Sequence, residues 1–208
     1  MTVESNLKTI IKKIEDWDNR VFLDLYERKF LRKKLIVRLA QIYSFFGNII
    51  IWGSLWIFLG IYGFITKDYD LFILMTAGFE QSIIMYLIIR YIIVKRNRPF
   101  IKLKEKGVKQ EDDLIREKRS FPSGHVTFFL FFGFIFAFHF NSWIILLTFI
   151  ILDIFMAISR VILGVHYPMD VIFGFIFGIV FALLFLTLTF PYWKDFYYWL
   201  GNTLSPFQ

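Results

Sequence analysis

Cysteine is absent from the 208-residue sequence, and histidine occurs only three times. The first absence excludes disulfide bonds and thiolate metal centres, and three histidines are too few to favour a zinc centre built by the protein alone. Residues 1–13 lack the apolar run and the small-residue cleavage site of a signal peptide. No internal repeat or linker divides the chain, so we expect one domain over residues 1–208, without a metal or another cofactor.

Apolar side chains, by contrast, make up 57% of the sequence, which includes 28 phenylalanines and has a mean hydropathy of +0.58. A soluble core of this size cannot bury so much apolar surface, so the bilayer must be part of the solvent. Apolar runs that approach the roughly 20 residues of a membrane-spanning helix cover residues 42–65, 71–94, 123–140, 143–162 and 170–190. The sequence therefore predicts an all-α integral membrane bundle with about five transmembrane helices.

The N-terminal segment, residues 1–40, has a different pattern. Apolar residues recur in it at helical spacing, with lysines between them: Leu7, Ile10, Ile11 and Ile14. This periodicity predicts an amphipathic helix that lies in the membrane interface and does not span the bilayer. Residues 41–192 then form the transmembrane core, with a charged loop over residues 95–121, and residues 193–208 form a C-terminal tail.

The distribution of basic residues suggests an orientation in the membrane. Five spans would place the N-terminal helix, the 95–121 loop and the turn at 163–169 on one side. Residues 1–38 hold ten Lys and Arg and the loop holds ten more, whereas the opposite side holds only Lys67 and Lys194. The positive-inside rule then predicts that the first side faces the cytoplasm.

A first candidate site motif stands where this loop becomes a helix, at Phe121-Pro122-Ser123-Gly124-His125. Proline and serine suit the start of a helix. The free backbone N–H groups and the positive end of the helix dipole form an anion site, which Gly124 opens to close approach. His125 would lie beside a bound phosphate. The alternative is an ordinary capped helix that carries a surface histidine.

A second motif follows 34 residues later, with Ser159-Arg160, His166 and Asp170 around a helix end, a turn and the next helix start. The spacing of His166 and Asp170 suits a hydrogen bond that fixes the histidine tautomer and makes the other ring nitrogen a better nucleophile. The alternatives are a loop histidine near a helical aspartate, and an Arg160 that merely reaches the membrane surface.

A third piece, Arg98-Pro99, ends the second apolar run. The guanidinium of Arg98 can offer a planar fork to phosphate oxygens, although a basic residue flanking a span is the simpler interpretation. Two arginines, a backbone anion site, an aspartate-supported histidine and a second histidine together suit phosphoryl transfer through a phosphohistidine, without a metal.

These motifs resemble those of the type-2 phosphatidic-acid phosphatases, or lipid phosphate phosphatases, which share their site with acid phosphatases and vanadium haloperoxidases. The family pattern is Lys-x6-Arg-Pro, then Pro-Ser-Gly-His, then Ser-Arg-x5-His-x3-Asp. The second and third parts match in full, and the resemblance covers residues from about 40 to 190. It implies a helical membrane bundle with the site at the helix ends. In bacteria it also implies an extracytoplasmic site, against the charge distribution.

The resemblance implies a role for each matching residue. His166 would be the nucleophile, Asp170 its partner, and His125 the general acid that protonates the leaving oxygen. The residues that would hold the phosphate are Arg98, Arg160, Ser123 and the backbone N–H of Gly124.

The first part of the pattern departs from the family, because Tyr91 stands where the lysine is expected. Lys95 lies one turn further along the same helix face, whereas Arg90 would point about 100° away. We therefore expect Lys95 to replace the missing lysine in binding phosphate.

The sequence thus predicts a membrane-embedded phosphatase for a lipid phosphomonoester or diphosphate, with the bilayer and a lipid as partners and no nucleic acid. Candidate substrates are phosphatidate, phosphatidylglycerophosphate, a polyprenyl phosphate or diphosphate, and a lipid A phosphate. A phosphotransferase that uses the same phosphohistidine, and a non-catalytic membrane transport or binding protein, are the alternatives. The oligomeric state is left open.

Overall fold

The computed structural model describes residues 3–204 and contains only helices and loops, with no β-strand in that range. The α-helices are α1 (Val3–Tyr26), α2 (Lys34–Phe45), α3 (Ile49–Thr66), α4 (Asp70–Leu87), α5 (Pro99–Lys102), α6 (Gly124–His139), α7 (Trp143–Ile162), α8 (Pro168–Leu184) and α9 (Phe190–Leu204). Short π-helical segments continue α4 over Ile88–Ile93 and join α8 to α9 over Phe185–Thr189.

Four helical stretches are long and apolar enough to cross a membrane: Lys34–Thr66, Asp70–Ile93, Trp143–Ile162 and Pro168–Thr203. The shorter apolar helix α6 lies among them and packs on both α7 and α8. The prediction of an all-α membrane bundle with about five spanning helices is confirmed.

The N-terminal segment differs from its predicted boundaries. The helix expected over residues 1–40 ends at Tyr26, and α2 begins the first spanning stretch at Lys34. Residues 1 and 2 of the predicted segment lie outside the described part of the chain. The second half of α1 packs against the bundle through Phe22 and Tyr26, and the first half leaves Ile10 exposed. Amphipathic spacing predicted the helix but not its end at Tyr26.

The predicted C-terminal tail, residues 193–208, is helical as far as Leu204, and residues 205–208 lie outside the described range. Contacts with α4 explain this difference. The hydroxyl of Tyr198 donates to Asp70 at 2.8 Å, and that of Tyr197 donates to Glu80 at 2.6 Å. These aromatic residues belong to a helix that packs on the bundle.

The pairing of α6 with α8 brings two motif-bearing helix starts together. A Cβ atom at Gly178 would lie 2.8 Å from the backbone oxygen of Thr127, and one at Gly174 would lie 3.1 Å from that of Ser123. Small residues at such spacing let membrane helices approach closely. As a result, the backbone N–H of Ser123 donates to the carbonyl of Asp170 at 3.0 Å.

We predict that Gly178→Ala lowers the free energy of unfolding by about 1–3 kcal/mol, because the added methyl group overpacks the contact between α6 and α8. Thermal unfolding in detergent micelles measures the effect. Gly53→Ala is the matched control, since a Cβ atom at Gly53 meets nothing within 4 Å. Equal losses in both variants would contradict a close α6–α8 contact.

Candidate active site

The predicted site residues come from separate elements that end at the same side of the bundle. Ser123 precedes α6, Arg160 lies in the last turn of α7, Asp170 lies in the first turn of α8, and His166 lies in the turn between α7 and α8. Arg98 precedes α5. All five side chains are buried. The structure therefore brings both matching motifs and the Arg98-Pro99 piece into one cluster.

His166 and Asp170 face each other across the start of α8. The Nδ1 atom of His166 lies 3.5 Å from Oδ2 of Asp170, a long contact, and the same oxygen accepts the backbone N–H of Tyr167 at 2.9 Å. On the other side of the ring, Nη1 of Arg98 lies 3.0 Å from Nε2. Because a guanidinium can only donate, Nε2 must be the acceptor and the ring proton must sit on Nδ1. The Nε2 lone pair of His166 therefore points toward the arginines.

Electrostatics favour the neutral form of His166. Burial, followed by the charges of Arg98, Arg160 and Arg90, holds the pKa of His166 well below its usual value. The same burial and the neighbouring charges of Arg90 and Arg160 lower the pKa of Arg98 to about 10. At neutral pH the cluster therefore combines a neutral imidazole with charged guanidinium groups.

Several buried donors of the cluster have no protein partner. Nη1 of Arg160 donates to Oδ2 of Asp112 at 2.7 Å and also to the hydroxyl of Ser44. Its Nε and Nη2 atoms, and the hydroxyl of Ser123, are buried without a hydrogen-bond partner among residues 3–204. Buried polar groups are rarely left unpaired. Unpaired donors beside a histidine lone pair are the arrangement expected of an anion site.

The second histidine of the motif, His125, is half-buried in the first turn of α6. Arg160 and Arg98 are its charged neighbours, and the neutral imidazole of His166 also lies near it. A Cβ atom at Gly47, in the junction between α2 and α3, would lie 2.8 Å from Cδ2 of His125. The absent side chain at this junction therefore leaves room for the imidazole at the edge of the cluster. The backbone of Gly124, next to it, is also half-buried at the helix start.

The structure corrects the expectation for the missing lysine. Lys95 is exposed beside α1 and does not join the cluster. Arg90 is buried instead, and its Nη1 donates to the carbonyl of Pro122 at 2.9 Å and to the hydroxyl of Tyr86 at 2.7 Å. Arg90 lies in the π-helical turn over Ile88–Ile93, whose i→i+5 bonding shifts the register of an α-helix. Tyr91 is exposed, so the helix face that carries position 91 points away from the cluster.

Acidic partners of the arginines were also missed. Glu117 bonds to Arg90 and lies 3.8 Å from Nη2 of Arg98, and Asp112 pairs with Arg160. Both acids belong to the charged 95–121 segment, where nothing in the sequence separates them from solvated neighbours. Asp18 could have been identified from the sequence, because it occupies a position of the apolar stripe of α1 where an apolar residue is expected.

A metal site does not emerge from the side chains described. Within residues 3–204, no group of three or more His, Cys, Asp or Glu is placed to hold a metal ion. The group that contacts the Nε2 atom of His166 is a guanidinium donor of Arg98, and guanidinium groups bind anions.

Fold and site together define a class: a helical membrane protein with a candidate histidine nucleophile and a candidate anion site of buried arginines at the ends of its helices. The chain belongs to the PAP2 superfamily, whose family model matches residues 71–194.

Two solved structures share the fold. The crystal structure of Aquifex aeolicus LpxE is 18% identical, with a TM-score of 0.60, over 79% of this chain and 92% of that chain. A transmembrane PAP2-type phosphatidylglycerolphosphate phosphatase from Bacillus subtilis is 20% identical, with a TM-score of 0.65, over 94% of this chain and 90% of that chain. Comparison with curated protein sequences gave no significant match.

We predict that His166 stays neutral well below pH 6.5, because burial and the nearby arginines disfavour its protonated form. Titration of ¹⁵N-histidine-labelled protein in micelles measures this pKa, with variants of His125 and His139 for assignment. Arg98→Gln removes one positive neighbour and should raise the pKa of His166 toward its ordinary value. Titration of wild-type His166 near pH 6.5 would contradict the electrostatic arrangement.

Proposed function

We propose that the protein is a membrane phosphatase that hydrolyses a lipid phosphomonoester or diphosphate through a phosphohistidine at His166, without a metal. One observation carries the proposal: Nε2 of buried His166 lies 3.0 Å from Nη1 of Arg98, and the neighbouring Arg160 has two unpaired donors. A neutral imidazole beside an anion site is placed to attack the phosphorus of a bound phosphate. Membership of the PAP2 superfamily supports the same reaction class.

In the first step, the unpaired donors of Arg160 and the hydroxyl of Ser123 hold the phosphate oxygens, with Arg98 beside the nucleophile. Nε2 of His166 attacks phosphorus, and the bond from phosphorus to the lipid oxygen breaks. The lipid oxygen keeps that electron pair and takes a proton from His125. The ring of His166 becomes positively charged, and Asp170 stabilises its Nδ1–H. The long distance between Asp170 and Nδ1 suits a contact that tightens when this charge forms.

The second step returns the protein to its starting state. His125, which has lost its proton, accepts one from a water molecule as the water oxygen attacks phosphorus. The bond between phosphorus and Nε2 breaks, its electron pair returns to His166, and inorganic phosphate leaves. His125 thus acts as an acid and then as a base, as microscopic reversibility requires for two related displacements.

The position of the cluster supports a lipid as the substrate. The site residues lie at the ends of helices that are long enough to span a membrane, which is where lipid headgroups are expected. A lipid anchored in the bilayer can present its phosphate there without leaving the membrane. The substrate panel therefore contains phosphatidate, phosphatidylglycerophosphate, a polyprenyl phosphate or diphosphate, and a lipid A phosphate. Phosphatidylglycerophosphate is tested first, since the Bacillus subtilis structure that shares the fold is named a phosphatidylglycerolphosphate phosphatase.

We predict that detergent-purified protein releases phosphate from one of these lipid classes with EDTA present, and that His166→Ala lowers the rate by at least about 10³-fold. His139→Ala is the matched control, because His139 lies at the far end of α6 and should retain the wild-type rate.

Three outcomes would count against the proposal. A normal rate in His166→Ala would remove the nucleophile. Loss of activity in EDTA that Mg²⁺ restores would contradict a metal-free reaction. Transfer of phosphate to an added acceptor without release to water would instead identify a phosphotransferase.

For the orientation, we propose that the site faces the cytoplasm, as the basic residues of the N-terminal and 95–121 segments favour. The chain has no native cysteine, so single cysteines report on sidedness. Lys104 is exposed on the site side. Asp195 is exposed about 40 Å along the helix from the start of α8, beyond a hydrocarbon core of about 30 Å.

In intact cells, Lys104→Cys should resist an impermeant maleimide and Asp195→Cys should react with it. Both variants should react after the membrane is permeabilised, which controls for accessibility in the folded protein. The reverse pattern in intact cells would place the site outside the cytoplasm, where the family resemblance puts it in bacteria.

A further inference from the structure

Arg96 lies outside both matching motifs but connects the N-terminal helix to the candidate site. Its Nη2 donates to Oδ2 of Asp18 at 2.6 Å, and its Nη1 donates to Oδ1 of Asp170 at 3.0 Å. The guanidinium carbon lies 3.8 Å from the centre of the Tyr167 ring. Arg96 thus has a separate partner for each terminal nitrogen and an aromatic face beneath its plane.

We propose that Arg96 is a positioning residue, held by Asp18 of α1, that orients the Asp170 carboxylate toward the proposed nucleophile His166. This inference rests on the proposed phosphatase function. It adds a chain of contacts, Asp18–Arg96–Asp170–His166, that begins in α1. Asp18 and the rest of α1 lie outside residues 71–194, the part of the chain that the family model matches.

The two oxygens of Asp170 have different partners, which defines the carboxylate plane. Oδ2 accepts the backbone N–H of Tyr167 at 2.9 Å and faces His166. Oδ1 has Arg96. With a partner on only one oxygen, the carboxylate can turn about its Cβ–Cγ bond, and Oδ2 then moves away from Nδ1. A donor on each oxygen fixes the plane, as the outer hydrogen bonds of ligating side chains do in metal sites.

Arg96 also balances the charge of two buried carboxylates. Asp18 and Asp170 are both fully buried, and a buried carboxylate without a partner is strongly unfavourable. Burial opposes the charge of Arg96, but Asp170 and Asp18 outweigh it and raise the pKa of Arg96. Arg96 therefore remains charged and keeps Asp170 available as the counter-charge for His166 during phosphoryl transfer.

The helix α1 holds this arrangement at the surface of the bundle. Oδ1 of Asp18 accepts the backbone N–H of Met169 at 3.0 Å, in the first turn of α8. Asp18 therefore contacts both Arg96 and the helix start that carries Asp170. One turn earlier, Glu15 pairs with Lys102. The N-terminal helix is thereby tied to the site at a single buried carboxylate, with an exposed ion pair beside it.

Arginine is required because one planar group must reach two carboxylates and stack on a ring. A lysine at this position keeps the charge but cannot present two nitrogens in a fixed plane. Arg96→Lys should therefore retain part of the effect, and Arg96→Gln should lose it. Asp18→Asn changes one atom of α1 and leaves the contact between Arg96 and Asp170 in place, so its effect should be smaller.

The test compares these variants with wild type in two measurements. With dioctanoyl phosphatidate in micelles, Arg96→Gln should lower kcat by about 10- to 100-fold, the range for removal of an outer-sphere partner, with KM changed less than about threefold. Arg96→Lys should recover part of kcat. Arg116→Gln is the matched control, since Arg116 is exposed in the same segment and should behave as wild type.

The second measurement does not depend on turnover, and so separates this inference from the proposed function. In wild type, Asp170 should shift the Nδ1–H proton signal of His166 downfield, and this shift should shrink in Arg96→Gln, whereas Arg98 holds the Nδ1–H tautomer in both proteins. If wild type hydrolyses nothing but the Nδ1–H signal still moves in the variant, only the proposed function fails. An unchanged Nδ1–H signal and an unchanged kcat in Arg96→Gln would overturn the positioning role. If Arg96→Gln does not fold, kcat and the Nδ1–H signal of His166 are measured in Asp18→Asn instead, and the same outcomes test the positioning role.

Discussion

Buried arginine charges at the ends of membrane helices are the constraint on which the rest of the structure depends. Arg98 and Arg160 are buried close to one another, and like charges in a medium of low dielectric repel strongly. Each therefore needs compensation from nearby acids and carbonyl groups. Asp112 and Glu117 supply it, which explains why a charged segment folds back onto an apolar bundle.

The sequence predicted the features that local rules determine. The length of the apolar runs predicted the spanning helices, and turn and capping residues predicted the helix ends near His125 and His166. Arg90 was missed because its direction depends on a π-helical turn, which the residue types of Ile88–Ile93 do not announce. Asp112 was missed because only tertiary contact distinguishes it from other acids of the same segment. An ion pair between residues distant in sequence does not show in the neighbouring residues, whereas helical periodicity does.

The N-terminal helix links the membrane surface to the chemistry. Ile10 and Ile14 are exposed on α1, as expected for a helix whose apolar side chains enter the interface. Further along the same helix, Asp18 is buried against Arg96 and the start of α8. In the proposed arrangement, Asp18 therefore couples the position of α1 to the orientation of Asp170.

The contact between Arg98 and His166 has two consequences that act in opposite directions. Donation from Arg98 to Nε2 keeps that nitrogen free of a proton, because a protonated Nε2 would face a donor. The same contact occupies the lone pair that attack on phosphorus requires. A phosphate bound beside Arg98 offers the guanidinium stronger acceptors than an imidazole nitrogen. In the proposed reaction, binding of the anion therefore releases the lone pair, so the proposed nucleophile becomes free only when a phosphate is in place.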